Sequence, residues 1–237
     1  MVVVTHKHLI EAAAEYPDAA AELAALEHII EESRWQSFVE LRATVADADA
    51  VDGYVIFNVR GTRYRLITVM HYARTRGERL TQGHCYIRSF LTHKQYDNKS
   101  NWGQGVRIMS TVLASPVTFI QQGAPHLIHS DEELAYYTRE LFKLTALENP
   151  TDDEVEAIDL LTLLVKNYED EKYPLPNADP IEVLRYLMQS HGLSQKDLTE
   201  LGSKASASMI LGGKRNLTIG HIQALSQRFA VPASVFL

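Results

Sequence analysis

The sequence predicts two folded parts of different class. An α+β domain with N-terminal helices on an antiparallel sheet comes first, and an all-α part ending in a helix-turn-helix follows. Three observations carry this reading. Residues 54–59, 64–69 and 85–90 are short runs rich in Val, Ile, Tyr and Phe and read as strands. Residues 131–147 and 152–168 repeat apolar side chains at helical spacing. Residues 180–237 alternate short helical stretches with glycine stops. A chain of 237 residues, 46% hydrophobic and 22% charged, has the length and composition for a soluble protein of one or two domains. No apolar run approaches the roughly 20 residues that span a bilayer. Met1–His6 lacks the basic and apolar regions of a signal peptide, so a cytoplasmic protein with no membrane partner is expected. The single cysteine, Cys85, excludes an internal disulfide and reads as a buried thiol.

In chain order, Thr5 is a candidate N-cap for a helical stretch over 6–33, which Pro17 divides or kinks. Trp35, Phe38 and Leu41 are expected beneath the sheet, with 46–52 as a loop. Asn58–Thr62 reads as a tight hairpin turn and Arg74–Arg79 as a longer basic loop. Thr92–Asp97 closes a first domain over 1–102. Residues 98–108 are turn-rich, and 103–108 are taken as the linker. Met109-Ser110-Thr111 then reads like a fresh N-terminus, as if two genes had been joined. Capping boxes at Ser130–Glu133 and Thr151–Glu154 open two acidic helices in a region over 109–179. Their apolar faces, Leu134, Tyr137, Leu141 and Leu144, then Ile158, Leu161 and Leu164, read as packing surfaces. The Pro-rich stretch 173–180 hinges into the last domain, 180–237. There a helix runs to about Ser190, a short one starts at Ser194, Ser203 caps a third, and Thr218 opens a fourth. Together they have the helix-turn-helix arrangement.

Charge is distributed in blocks. The nets are −8 over 1–52, +8 over 53–108, −10 over 109–180 and +3 over 181–237, within an overall −7. A basic sheet carrying His and Tyr suggests an RNA-facing surface, and the acidic block suggests what covers it. His6-x-His8 and His126-x-x-His129 lack the Cys or carboxylate partners that would complete a metal site. No phosphate loop or Ser-His-Asp arrangement is evident, and no cofactor is expected.

Two family resemblances follow from particular residues. Leu193-Ser194-Gln195-Lys196-Asp197-Leu198, Gly202-Ser203-Lys204 and Leu211-Gly212-Gly213-Lys214-Arg215 resemble the Cro/repressor-type helix-turn-helix family. The resemblance implies operator DNA as a partner and a homodimer. It also implies Lys204, Ser206 and Ser208 as base readers and Gln195, Ser203, Lys214 and Arg215 as phosphate contacts. The small Ala205 and Ala207 depart from the usual pattern and weaken direct readout. Phe57-Asn58-Val59-Arg60-Gly61, Tyr64-Arg65-Leu66, Tyr86-Ile87-Arg88 and Thr92-His93-Lys94-Gln95-Tyr96-Asp97 resemble the HigB-type toxins of the RelE superfamily. Residues 109–237 resemble the partner HigA-type antitoxins. These resemblances imply a RelE-like ribosome-dependent mRNA endonuclease, with the ribosome and mRNA as partners. They imply further that it is held silent by an antitoxin on the same chain, which represses its own operator.

The chemistry suits those residue types. Cleaving RNA with its own 2′-hydroxyl needs a base, cations for the phosphorane and a proton for the leaving oxygen. His93 can act as base or acid, Tyr96 can supply or relay a proton, and Asp97 can orient a neighbour. Arg65 and Arg88, on adjacent predicted strands, are expected to face one scissile phosphate. Lys94, Arg63, Arg74, Arg76 and Arg79 are expected RNA contacts. The competing reading is a DNA-binding repressor whose N-terminal domain is a non-catalytic scaffold.

Overall fold

A computed structural model describes residues 1–76, 79–102 and 125–237, with Arg76 and Arg79 described as backbone alone. At its centre is a five-stranded sheet in the order β1-β7-β4-β3-β2. The strands are β1 (Val2–Val4), β2 (Asp49–Val51), β3 (Tyr54–Val59), β4 (Tyr64–His71) and β7 (His84–Thr92). A small ribbon pairs β5 (Thr75–Arg76) with β6 (Arg79–Leu80) inside the expected Arg74–Arg79 loop. The three predicted strands are present, but the sheet is mixed and not purely antiparallel. Val2–Val4 forms an unforeseen edge strand parallel to β7, with Val3 opposite Cys85. The expected loop over 46–52 contributes β2, antiparallel to β3. Between β3 and β4, Arg60 and Gly61 take successive positive φ values of 54° and 67°, which matches the strand twist and favours glycine at the second position.

Helices cover both faces of the sheet. On the first face lie α1 (His6–Glu15), α2 (Ala20–Glu32) and the short α3 (Phe38–Thr44), with Pro17 in the break between α1 and α2. Thr5 is not a side-chain cap. Its φ is 74°, and its hydroxyl donates to the Ile87 carbonyl at 2.8 Å. The open N–H groups of Thr5 and His6 instead donate to the carboxylate of Glu169, each at 3.1 Å, from a helix more than 160 residues away. Leu23, Leu26, Ile29, Ile30, Trp35 and Leu41 form the core here with Phe57, Leu66 and Ile87.

The opposite face is covered by α5 (Asp131–Thr145) and α6 (Asp152–Lys172), which follow a single-turn α4 (His93–Tyr96). Val4, Tyr54, Ile56, Ile67, Val69 and Tyr86 of the sheet share one apolar cluster with Leu134, Tyr137, Leu141, Leu144, Leu161 and Val165. Each such side chain contributes about 1.5–3 kcal/mol when fully buried. The block charges suggested docking by opposite charge; the contact itself is built on this apolar cluster. Two of the acidic groups cap helices: Glu133 accepts from the His129 N–H at 2.8 Å, and Glu154 from the Thr151 N–H at 2.7 Å. Among the described residues two ion pairs cross the junction, Lys7–Asp131 at 3.5 Å and Lys166–Glu31 at 3.1 Å. Both are solvent-accessible pairs of the kind that contributes about 0–1 kcal/mol.

The last part packs on the first face. It comprises α7 (Pro180–Ser190), two 3-10 turns (Gln195–Asp197 and Thr199–Leu201), α8 (Lys204–Leu211), α9 (Ile219–Phe229) and a final turn, Ala233–Phe236. The short helix expected from Ser194 is thus a pair of 3-10 turns, held by an Asp197 carboxylate that accepts from the Ser194 N–H at 2.8 Å. Val183, Leu184, Leu187 and Phe236 join the α2 core. The Tyr186 hydroxyl donates to the Asn58 carbonyl at 3.3 Å, and the Ala46 N–H donates to Ser190 Oγ at 3.0 Å. Among the described residues no helix is long and apolar enough to cross a membrane. Residues 103–108 and Met109-Ser110-Thr111, on which the linker and second-start readings fall, lie outside the described residues.

Candidate functional site

The capping box of α4 explains why Thr92–Asp97 forms a discrete turn. Thr92 Oγ accepts from the Gln95 N–H, and the Gln95 side-chain oxygen accepts from the Thr92 N–H at 2.8 Å. The His93 N–H donates to the Arg63 carbonyl at 3.0 Å, which ties this turn to the start of β4. His93 and Lys94 are exposed, and His93 Nε2 lies 4.0 Å from Asp97 Oδ2 one turn on. Asp97, expected to orient a neighbour, thus stands at ion-pair distance from His93.

Tyr96 points back over the sheet. The Arg65 guanidinium lies over its ring at 5.6 Å from the centroid. Arg65 Nη1 also donates to the carbonyls of Thr62 and Tyr64, at 2.8 and 3.1 Å. Burial raises the Tyr96 phenol above its ordinary range, against an opposing pull from Arg65, so the group keeps its proton at neutral pH. That suits a proton donor better than a base.

The two arginines expected to share one phosphate are set apart. Arg65 pairs with Leu91 across β4 and β7, and Arg88 is the extra residue of a bulge where Ile67 pairs with Ser89 and Thr68 with Ile87. Three residues of strand separate them, about 10 Å along β7. Arg65 is drawn toward Thr62, away from Arg88. The bulge instead aims Arg88 into a cleft of about 1080 Å3 between the sheet and α5, with Trp102, Lys7 and Arg139 in its wall. The expected catalytic set thus divides into an Arg65–Tyr96–His93–Asp97 group and a separate Arg88.

The expected RNA contacts also divide. Arg63 forms an ion pair with Asp18 at 2.8 Å. Arg74, exposed, donates to the Leu147 carbonyl beyond α5 and so also serves the junction in the intact chain. Arg76 and Arg79 face each other in the β5–β6 ribbon, and their side chains lie outside the described residues.

In the last part, Ser203 Oγ caps α8 by accepting from the Ser206 N–H at 3.2 Å. Gln195 Nε2 donates to the Lys204 carbonyl at 2.9 Å, which joins the 3-10 turns to α8. Lys204, Ser208, Lys214 and Arg215 are exposed on one end of this unit. Ser206 is half-buried and accepts from Arg215 Nη1 at 3.4 Å, so it is less open than the other expected base readers.

Several residues that sequence reasoning passed over occupy the junction. Tyr86 and His71 both meet Thr145 Oγ1, at 2.8 and 2.7 Å, and His84 Nε2 meets Thr162 Oγ1 at 2.8 Å. Burial depresses His71 to about 4 and His84 to about 3, so both are neutral where the helices dock. Glu169, fully buried, is pushed up to about 7 by burial, against the two N–H groups it accepts from. Local spacing carries no signal for these, because each partner is far away in the chain.

A family model described as HigB_toxin, the RelE-like toxic component of a toxin-antitoxin system, matches residues 19–99. The mRNA interferase toxin HigB of Escherichia coli K12 is 31% identical over 100 residues, covering 41% of this chain and 88% of that protein. The antitoxin HigA of the same strain is 35% identical over 94 residues, covering 36% of this chain and 68% of that protein. The antitoxin HigA of Shigella flexneri matches to the same extent.

Proposed function

The chain belongs to the HigB toxin family and to the HigA antitoxin family at once, and on that premise we propose that it is a toxin–antitoxin pair on one polypeptide. Residues 1–102 are a RelE-like ribosome-dependent mRNA endonuclease. Residues 109–179 neutralise it, and residues 180–237 are a helix-turn-helix domain that binds operator DNA as a dimer and represses the chain's own transcription. The observation that carries this reading is the docking of α5 and α6 on the sheet face from which Arg65 and Tyr96 project.

In the mechanism proposed, His93, oriented by Asp97, takes the 2′-hydroxyl proton. The hydroxyl oxygen attacks the adjacent phosphorus and displaces the 5′-oxygen, which receives the Tyr96 proton. Arg65 stabilises the charge that grows on the phosphorane, and Arg88, about 10 Å along the strand, holds a neighbouring phosphate. Lys94, Arg63, Arg76 and Arg79 supply contacts to mRNA or ribosomal RNA, joined by Arg74 once the halves separate. In the intact chain α5 narrows the approach to Arg88, so activity is latent until they do. At the DNA, Lys204 and Ser208 face bases, while Gln195, Ser203, Lys214 and Arg215 hold phosphates.

The test is growth of cells induced for residues 1–102, for the full chain, and for residues 1–102 with His93→Ala. Arrest by the first alone supports a nuclease silenced by its own C-terminal half. Harmless expression of a soluble, folded fragment would refute it and favour a repressor with a scaffold domain.

A further inference from the structure

Trp102 belongs to none of the residue sets above, yet it is the side chain against which Tyr96 rests. Their ring planes are 7° from parallel with centroids 4.8 Å apart, and Trp102 Nε1 donates to the carbonyl of Tyr96 itself at 2.7 Å. The indole is 7% exposed and meets Tyr54 of β3 edge-on at 5.8 Å, so the sheet fixes its plane. A 3-10 turn, Lys99–Asn101, delivers it there. Asn101 Nδ2 donates to the Gln95 carbonyl at 2.7 Å, and the Trp102 N–H donates to the Lys99 carbonyl at 3.3 Å.

The turn that bears Tyr96 cannot orient its ring unaided. α4 has four residues, none of them fully buried, and a single helical turn has little stability of its own. A tyrosine on such a turn has two free side-chain torsions, and a proton donor that wanders by about 1 Å loses much of its effect. Trp102 acts on both freedoms. Its N–H pins the backbone of Tyr96, and its ring plane sets the plane of the phenol, with the Arg65 guanidinium also over that ring.

We propose that Trp102 is a positioning residue that holds the Tyr96 phenol beside Arg65 in the orientation from which it can donate a proton. The proposal rests on the reading of Tyr96 as the proton donor. It extends the working site past Asp97 into the turn-rich stretch that ends the first domain, and it adds an indole to a set of ionisable groups.

The test is made on the full chain with 13C-labelled tyrosine rings, the Tyr96 signal being assigned by its loss in Tyr96→Phe. In the native chain the phenol is expected to titrate above the ordinary value of 10.0. Its ring protons should show cross-relaxation to the Trp102 indole. In Trp102→Leu the titration should return toward the ordinary value, and Trp102→Phe, which keeps a flat ring, should restore most of the shift. Equal titration curves in all three proteins would overturn the proposal. Should Trp102→Leu fail to fold, the native chain decides: a freely averaged Tyr96 ring with no cross-relaxation to the indole would overturn it equally. The phenol is read directly and not through RNA cleavage. A failure here therefore leaves the nuclease reading standing, and a harmless toxin fragment leaves the positioning result standing.

Discussion

Replacing Leu141 by Ala should release the N-terminal domain, whereas neutralising the acidic face of α5 and α6 should not. Leu141 is fully buried in the cluster that joins Ile67, Val69 and Tyr86 to α5 and α6. Truncating a leucine in such a place costs about 2–5 kcal/mol through lost transfer energy and the cavity left behind. At 1.4 kcal/mol per factor of ten, docking weakens by about 30- to 4000-fold if the loss falls on the junction. The comparison variant carries Asn or Gln at Asp131, Glu132, Glu133, Asp152, Asp153 and Glu154. Amides still accept the capping hydrogen bonds, and the pair it breaks across the junction, Lys7–Asp131, is solvent-accessible and contributes about 0–1 kcal/mol. Both full-length proteins are induced in cells and growth is followed, with purified samples melted to verify folding. Growth arrest by Leu141→Ala and none by the charge variant is the expected result. The reverse pattern would show that electrostatics holds the halves together and would refute the argument from the apolar cluster.

Three further outcomes are expected. Glu169→Ala removes both acceptors from the start of α1 and should cost about 1 kcal/mol, seen as a Tm lower by about 2–4 °C; an unchanged melt would show that water replaces the carboxylate. His71 and His84 titrate near 4 and 3 in the folded chain and near 6.5 when unfolded, so the unfolded state takes up protons first. Their contribution to stability is therefore full above pH 6.5 and falls as pH drops to about 4, with no further loss from His71 below that. Glu27 and Glu169, raised to about 8 and about 7 by burial, act in the opposite sense as pH rises. Histidine ring-proton NMR isolates the two imidazoles, and a midpoint near 6 for either would refute their buried, neutral state. Finally, Lys214→Ala and Arg215→Ala should each lower the salt slope of operator binding by about two, one phosphate contact from each protomer of the proposed dimer, and weaken all sequences alike. A change in base preference would instead make them readers.

What the sequence determined alone is local. The box at Thr151–Glu154 forms as read, and Ser130 caps its helix by accepting from the Glu133 N–H, because a side-chain oxygen and an N–H three residues away are already neighbours in the chain. The strands around Phe57, Ile67 and Ile87, the helical faces of Leu134–Leu144 and the stops at Gly192 and Gly213 were legible for the same reason. The HigB motif at Thr92–Asp97 was equally plain, since its residues are contiguous. Tertiary structure decided the rest. Val2–Val4 is too short to show a period, and its partner in β7 lies some eighty residues on. The −10 charge of 109–180 pointed to an electrostatic junction, but a count of charges cannot tell a carboxylate that caps its own helix from one that meets a partner. Apolar side chains on the two facing surfaces carry the contact instead. The bulge at Arg88, the Glu169 cap on α1 and the stacking of Trp102 on Tyr96 all depend on pairings made only when the sheet is assembled. Burial and distance belong to the folded chain, and they decided which of the charged residues stand free and which are spent on holding it together.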